Sequence, residues 1–444
     1  MMSLKLSSAR WVGLAVLTLS GHVFSSELSL NQAVERALER DLWQTSSARR
    51  EQALIDRAES SGSLPDPSVT LTAGNFPVDT FDIQQEPMTQ LSVAVTQMFP
   101  RGDSRALSAQ KNRELSSQQP LLRQDRSLKV EQAVTRLWLQ GYEAQESIKL
   151  MEQERDLLRQ LVDAARAGYA SGLNNTRQQD VVEANVELIR LEDRLAELRQ
   201  ALAVTRQQLG EWLSSESGED FESGQFIGLP KGPSPDQLPT AETVIQHPQI
   251  RAFERRIQSS ETGEALARQS YRPAWGLTAK YGYRDDDLMG NNRADLMSVG
   301  VTFDLPLFTG NRQDREVSAA VADTEALRTE KTLLLRRMRS ALSAALTEYA
   351  YQYERKTFYQ QQLLPQVQEQ ASAALSAYHS DRGDFPSVVK ARTSVLNTRL
   401  ARLKIETSLH RTLADIRYLS ATGLLSAESL TSGSSSSGEL KNEK

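Results

Sequence analysis

The chain has 444 residues, of which 39% are hydrophobic, 25% are charged and only 6% are aromatic, and its mean hydropathy is −0.48. A single compact core of this size would normally be more apolar. The formal net charge of −5 is small, and no basic face or aromatic-interleaved basic patch is present, which argues against nucleic acid as a partner. The chain has no cysteine, so disulfides are excluded.

The first 25 residues have the pattern of a secretory signal peptide. Lys5 and Arg10 precede the apolar run "WVGLAVLTL", and small residues follow near Ser25, where we expect cleavage. The alternative is a membrane anchor, but the run is shorter than the roughly 20 residues that span a bilayer. With no cysteine after the leader, a lipid anchor on an N-terminal cysteine is excluded. We therefore expect an exported protein.

The rest of the chain contains two similar repeats. "LSVAVTQMFPRGDSRALSAQ" from residue 91 resembles "SVGVTFDLPLFTGNRQDREVSAA" from residue 298, Pro65 corresponds to Pro273, and Tyr169 corresponds to Tyr378. This indicates a tandem duplication with repeats at 26–213 and 240–425. Residues 214–239 form a Ser/Gly/Pro-rich connector, and residues 426–444 form a polar low-complexity tail that we expect to be disordered.

Each repeat contains two short segments in which apolar and polar residues alternate. They lie near residues 67–75, 89–99, 274–284 and 295–305, and in the last one Val299, Val301 and Phe303 alternate with small or polar neighbours. Each segment is about ten residues long, the length with which a tilted strand crosses a membrane. The pattern therefore predicts four membrane-crossing strands per chain.

Between and after the strands the sequence has helical periodicity over unusually long stretches. The stretch 103–166 would be about 95 Å long as one helix, at about 1.5 Å per residue. Pro120 and Pro365 are expected to kink or interrupt these helices. A heptad seam typical of a coiled coil is formed by Leu188, Leu191, Leu195, Leu198, Leu202, Thr205 and Leu209.

Four strands are too few to close a barrel. An open sheet edge in lipid leaves backbone groups unsatisfied at a cost of several kcal/mol each, so other copies must close the barrel. This predicts an obligate homo-oligomer whose shared wall passes from strands in the membrane to helices in water. Pro100, Gly102, Pro306 and Gly310 lie at that boundary and would permit the bend.

In the order of these motifs the chain resembles the TolC family of outer-membrane efflux channels. The likeness covers nearly all of the mature chain, through "ERALERDLWQ", "IQHPQIRAFERR", "LPLFTGNR" and "LLPQVQEQASAALSAY". The resemblance implies an α+β membrane protein, a homotrimer with a twelve-stranded outer-membrane β-barrel that continues into a periplasmic α-helical barrel. It also implies a mixed equatorial region built by the connector and tail.

The family further implies a passive export duct of a tripartite efflux or type I secretion-like system. Its partners would be outer-membrane lipid, a periplasmic adaptor and an inner-membrane pump, with the RND type expected. Heavy-metal cations and drugs are both candidate cargoes, since "LPDP" and "FPRGD" resemble the heavy-metal branch. The alternative function is a periplasmic coiled-coil adaptor or a structural envelope protein, against which the duplicated strand pairs argue.

The ends of the two helical hairpins are the candidate adaptor-docking sites. In the family such ends touch the adaptor. Glycine is also common at the turn of any helical hairpin, so the glycines here are explained either by docking or by turn geometry. The candidate docking residues are Gly168, Tyr169, Gly172, Leu173, Tyr378 and Gly383.

The candidate periplasmic gate departs from the family pattern. Where the family has a D-V-L-D-A run after the second hairpin, this chain has Ser387 and Lys390 in place of the two acids. The first repeat keeps carboxylates at the matching Asp180 and Glu183. Asp381 and Asp384 lie near the second site, either as substitutes or as solvated turn residues.

We identify no catalytic group, cofactor site or metal site in the sequence. His247, His379 and His410 are scattered without ligand spacing and are expected to be solvated or capping residues. Four methionines near the strands could suit a soft metal ion, although lipid-facing or packing roles are favoured. They are Met88, Met98, Met289 and Met297.

Overall fold

The computed structural model describes residues 27–171, 177–214, 225–380 and 382–422. The expected signal peptide and polar tail lie outside these residues. The helices are α1 (Leu30–Glu39), α2 (Leu42–Gly62), α3 (Ser104–Ser171), α4 (Gln178–Leu213), α5 (Pro248–Arg268), α6 (Gln313–Phe358), α7 (Leu364–His379) and α8 (Phe385–Ser420). The strands are β1 (Ser68–Gly74), β2 (Gln90–Phe99), β3 (Trp275–Tyr283) and β4 (Leu296–Phe303).

The four strands form one antiparallel sheet in the order β1-β2-β3-β4. The second strand of the first repeat pairs with the first strand of the second repeat, with Val93 opposite Tyr281. This register places every odd-numbered residue of the sheet on one face. That face is almost wholly apolar and is exposed in the single chain.

The opposite face of the sheet carries small and polar residues. It includes Ser92, Thr96 and Thr278, and the hydroxyls of the last two are 2.8 Å apart. Because side chains alternate between the faces of a strand, this separation follows directly from the period-two pattern in the sequence. The sheet therefore has one side suited to lipid and one suited to water.

The apolar face has an aromatic row near each end. Phe99, Trp275 and Phe303 lie opposite one another across three strands, and the rings of Trp275 and Phe303 are 5.2 Å apart. Tyr281 and Tyr283 lie on the same face toward the other end of β3. Such paired aromatic rows are typical of strands that cross an outer membrane.

The helices continue from the strands as a layer side by side. Near the sheet, α3 lies between α2 and α5, and α5 packs on α6; farther away, α3 lies between α4 and α8, and α8 packs on α7. With 68 residues, α3 spans about 100 Å. Within the described part of the chain, no helix has the length and apolar content required of a membrane-spanning helix.

The two prolines of the long helices have different effects. Pro120 lies inside α3, which continues through it, so the expected interruption does not occur there. Pro365 follows a π-helical segment, Tyr359–Leu363, that separates α6 from α7. A proline lacks the N–H for the normal helical bond and crowds the carbonyl four residues earlier, and a wider turn relieves both problems.

Packing is concentrated in seams between helices. Leu191 and Leu195 of α4 are buried against Leu158 and Val162 of α3 and against Phe385 of α8. In the expected heptad seam Thr205 is fully buried, and its hydroxyl donates to the Ala201 carbonyl at 2.8 Å. Thr205 therefore fills a position of the heptad that is otherwise occupied by leucine, and its buried hydroxyl is hydrogen-bonded.

The connector is anchored near the middle of the molecule. Phe226 is buried beside Trp138, and its backbone N–H and C=O bond to the side-chain amide of Gln145 at 3.0 and 2.9 Å. A Cβ on Gly141 would lie 2.4 Å from the Phe226 ring, so glycine is required there by space. The indole N–H of Trp138 donates to the Leu28 carbonyl at 2.9 Å, which ties the start of the described chain to the same cluster.

Ion pairs between the repeats surround the strand-to-helix junction. Arg101 pairs with Asp304, and Arg272 pairs with Asp103 at 3.0 Å. Between them Gly102 has a φ of +43°, and a Cβ there would lie 2.4 Å from the Arg272 side chain. The bend between β2 and α3 is therefore held by long-range charged contacts as well as by the glycine.

Candidate functional site at the ends of the long hairpins

The end of the second hairpin is compact. α7 ends at His379 and α8 begins at Phe385, while the N–H groups of Arg382 and Gly383 donate to the Ala377 carbonyl at 2.9 and 3.1 Å. A Cβ on Gly383 would approach the Ala377 Cβ to 3.0 Å. The close approach explains this glycine through turn geometry alone.

Tyr378, a candidate for docking, packs within the hairpin. Its ring makes an edge contact with Phe385, with centroids 5.7 Å apart, and it lies against the buried cluster of α3, α4 and α8. Its packing gives it a part in holding the hairpin end together. The expectation that the hairpin ends bind the adaptor therefore depends more on the residues of the first hairpin.

The first hairpin presents an exposed tyrosine. Tyr169, near the end of α3, is 52% exposed. Gly168 lies one residue earlier in the same helix, whereas Gly172 and Leu173 lie outside the described residues. Tyr169 is thus the docking candidate whose side chain the structure shows on the surface.

Asp180 has a structural role at the start of α4. It is 6% exposed, and its Oδ2 accepts from the backbone N–H of Arg177 at 2.9 Å. A carboxylate at this position satisfies one of the free N–H groups at a helix start and opposes the helix dipole favourably. Its burial argues against the expectation that Asp180 lines a pore.

The remaining candidate gate residues are brought together in one groove. Glu183 and Glu187 of α4 form one wall, Ser387 and Lys390 of α8 lie opposite, and Tyr359 of the π-helical segment closes one side. The volume of the groove is about 630 Å³. The structure thus places an acid of the first repeat and the lysine of the second repeat beside the same solvent-filled space.

The charges in this groove are unevenly compensated. Glu187 forms an ion pair with Arg190 at 2.5 Å, but none of the ion pairs within the described residues involves Glu183 or Lys390. Asp384 is exposed at the start of α8, and Asp381 lies outside the described residues. Glu183 and Lys390 are therefore the charged groups of this groove for which the described residues supply no ion-pair partner.

Sequence reasoning missed Glu187 and Glu154. Glu187 was detectable, because it stands one helical turn after Glu183 and shares its face. Glu154 of α3 is buried near Arg392 and Arg399 of α8, and burial raises the pKa of its carboxyl although both arginines oppose the shift. No local pattern reveals Glu154, since its partners are distant in sequence.

The described histidines occupy sites of different kinds. His247 caps α5, accepting from the Gln249 N–H at Nδ1 over 3.2 Å, while its Nε2 lies 2.9 Å from the Tyr418 carbonyl oxygen. His410 is buried in α8, and His379 is exposed. Among the described residues, no group of three or more His, Cys, Asp or Glu is placed to hold a metal ion.

We expect thermal stability to fall on mild acidification because of His410. Burial, with Lys356 and Arg417 adding to it, lowers the pKa of this histidine from 6.5 to about 4. The unfolded chain then binds more protons than the folded chain between these values, so stability present above pH 6.5 is lost as the pH falls toward 4. The loss is about 2 kcal/mol per copy between pH 7 and 5.

The measurement is the melting temperature of the detergent-solubilised protein across this pH range. His410→Met should flatten the dependence, whereas His379→Gln should leave it unchanged. An unaltered slope in His410→Met would assign the pH dependence to other groups.

One family model matches part of the chain. A family model described as "Outer membrane efflux protein" matches residues 241–422, which lie in the second repeat. No curated protein sequence matches the chain. The description of this family model names an efflux protein.

Several solved structures share the fold. The CmeC outer membrane channel of Campylobacter jejuni superposes with a TM-score of 0.75 at 13% identity, covering 98% of this chain and 98% of that chain. VceC from Vibrio cholerae gives 0.72 at 15% identity, covering 89% and 96%. The open MtrE outer membrane channel of Neisseria gonorrhoeae gives 0.71 at 15% identity, covering 89% of each chain.

At these identities the superpositions show the fold, and the family model adds the sequence pattern of residues 241–422. The resemblance of this chain to the TolC family of outer-membrane efflux channels is therefore confirmed for the fold and for the sequence pattern of residues 241–422, and both agree with the expected place in the outer membrane with a large helical part in the periplasm.

Proposed function

We propose that three copies of this chain form a passive export duct across the outer membrane. The observation that carries the proposal is the sheet, which has one continuous apolar face and two edges, β1 and β4, that pair on one side only. In lipid those edges must find partners, because each unsatisfied backbone group costs several kcal/mol. Pairing of β4 with β1 of the next copy closes twelve strands in a trimer.

Exposed apolar residues on the helices support the same assembly. Val182, Val186 and Ile189 follow a spacing of four and three residues along one side of α4 and are exposed in the single chain. Tyr351 and Phe358, seven residues apart on α6, are exposed as well. Since α4 and α6 pack on different helices of the central pair α3 and α8, these sides are free to meet between neighbouring copies.

The partners in this proposal are a periplasmic adaptor at the hairpin ends and an inner-membrane pump, with the RND type expected. The duct needs no cofactor and no catalytic group, because it offers a path and the pump supplies the energy. Heavy-metal cations and drugs remain the proposed cargoes. A wide tube makes few contacts with what passes through it, so the pump is expected to select among them.

The assembly is tested by measuring the mass of the detergent-solubilised protein and its conductance in planar bilayers. We expect the protein to be recovered from the outer-membrane fraction with the mass of a trimer. In planar bilayers it should conduct ions. A soluble monomer without channel activity would contradict the proposed duct and favour the alternative of a periplasmic structural protein.

A photo-crosslinking amino acid in place of Tyr169 should attach the chain to the adaptor. Tyr169 is exposed near the first hairpin end, so a partner at that end would lie within reach. In a separate variant without the crosslinker, Tyr169→Asp should reduce resistance to exported compounds while the trimer remains intact, and Tyr169→Phe serves as the matched control. Crosslinking equal to that of a probe at Thr347, an exposed position of α6, would remove Tyr169 from the docking surface.

A further inference from the structure

The two strand-to-helix junctions differ by two residues. When Pro100 is aligned with Pro306 and Gly102 with Gly310, one residue separates the first pair and three separate the second pair. The extra residues of the second repeat are accounted for by Leu307 and Phe308. In the first repeat, residues 100–103 connect β2 to α3. In the second repeat, residues 304–312 connect β4 to α6.

The additional residues are among the most exposed apolar side chains of the described chain. Phe308 is 91% exposed and Leu307 is 72% exposed, and Leu305 before them is also exposed. The Leu307 N–H donates to the Leu305 carbonyl at 2.9 Å, a tight turn around Pro306. The segment thus presents its side chains to the surroundings and not to the chain's own core.

The position of this segment relates it to the apolar face of the sheet. Leu305 follows Phe303 by two residues in the chain, just beyond the row formed by Phe99, Trp275 and Phe303. Beyond the turn the chain becomes polar at once, and the Arg312 side chain is 74% exposed although its Nε lies 3.8 Å from a carboxylate oxygen of Glu316. An apolar tip followed within a few residues by an exposed guanidinium is the arrangement expected at the boundary between acyl chains and phosphate headgroups.

We infer that Leu305, Leu307 and Phe308 insert into the phospholipid leaflet that faces the periplasm and anchor the duct at that boundary. The inference rests on the proposed function, because it requires the apolar face of the sheet to lie in lipid. The first repeat has no such anchor, since Arg101 and Asp103 at its junction are engaged with Asp304 and Arg272. One anchor per chain gives three around the trimer.

Lipid fits the segment better than a second copy of the chain. A neighbouring copy meets β4 along its hydrogen-bonding edge, whereas Leu305 continues the alternation that puts the odd-numbered side chains of β4 on the apolar face. The segment follows β4 directly in the chain, and lipid covers the apolar face of β4 in the proposed assembly.

The test uses the absence of cysteine from the chain, which allows single-cysteine variants. Phe308→Cys is labelled with an environment-sensitive fluorophore, and the trimer is reconstituted into phosphatidylethanolamine–phosphatidylglycerol vesicles. Quenching is measured with headgroup-level nitroxide lipid, with mid-chain nitroxide lipid and with aqueous iodide. Val301→Cys is the reference in the apolar band, and Glu325→Cys of α6 is the reference in water.

The expected result is a loss of fluorescence at position 308 with headgroup-level nitroxide and protection from iodide, and Leu307→Cys should behave alike. If the label at 301 is quenched by mid-chain lipid while the label at 308 is quenched only by iodide, the anchor is refuted and the duct stands. Quenching at 308 by no agent would show that another copy covers the segment, which also overturns the anchor. Quenching at 301 by iodide alone would instead refute the lipid-facing sheet, and thus the proposed function.

Discussion

Replacing both Val299 and Val301 with aspartate should abolish insertion of the protein into the outer membrane as a trimer. Both valines belong to the apolar face of β4 and lie opposite Ala279 and Leu277. A charge on the lipid face of a strand costs about 2 to 4 kcal/mol for Arg or Lys at mid-membrane, and somewhat less for Asp. With two substitutions the cost per copy is several kcal/mol, a large fraction of the stability typical of a folded protein domain, about 5 to 15 kcal/mol.

The matched control lies in the same strand. Ser298→Asp with Gly300→Asp adds the same two charges to the polar face, where a Cβ on Gly300 meets nothing within 4 Å. Heat-resistant trimer on gels and recovery in the outer-membrane fraction are the measurements. Normal insertion of the valine double variant would contradict the assignment of this face to lipid, and failure of both variants would reveal a strand that tolerates no charge at all.

The strands and their two faces were predictable because the pattern that determines them lies within each strand. In β4 the alternation of Val299, Val301 and Phe303 with Ser298 and Gly300 is visible without any knowledge of the partner strand. A period of two residues assigns each side chain to a face, and a shift by one residue would move the whole apolar set to the wrong side. The heptad seam of α4 is local in the same way, since its leucines repeat within a single helix. The repeat boundaries themselves stay a prediction.

The burial of Phe226 in the connector depends on residues distant in sequence and was not predictable from the local pattern. Phe226 lies in a stretch rich in Ser and Gly that has no apolar period, so the sequence around it does not predict its burial. Its position depends on Gly141, which leaves room for the ring, and on Gln145, which satisfies its backbone. Both lie about eighty residues earlier in the chain. A contact of this kind is invisible until the helix and the connector are brought together in space.

The candidate gate was only partly predictable for a related reason. Alignment with the family's acidic run singles out Asp180, but the same residue is the third position of α4, where a carboxylate is used to satisfy a free N–H group. Sequence position alone does not distinguish these roles. In the structure Asp180 is buried, whereas Glu183 and Lys390 line the same groove, so our hypothesis for the gate is Glu183 and Lys390.

Ion selectivity of the pore should therefore respond to Glu183 and Lys390 and not to Asp180. In a symmetric trimer each of these groups becomes a ring, and a ring of carboxylates attracts cations whereas a ring of ammonium groups repels them. Glu183→Gln should weaken cation preference, and Lys390→Glu should strengthen it and tighten block by multivalent cations. Asp180→Asn is the matched control, since an amide oxygen can still accept from the Arg177 N–H.

Reversal potentials and single-channel conductance in planar bilayers give the measurement. The changes should be largest at low salt and should fade as the screening length falls to about 8 Å at physiological ionic strength and below. Glu187 is expected to contribute less than Glu183, because Arg190 already neutralises it across 2.5 Å. Selectivity that is unchanged in both Glu183→Gln and Lys390→Glu at low salt would place the groove outside the ion path, and Asp384, exposed at the start of α8, would become the next residue to substitute.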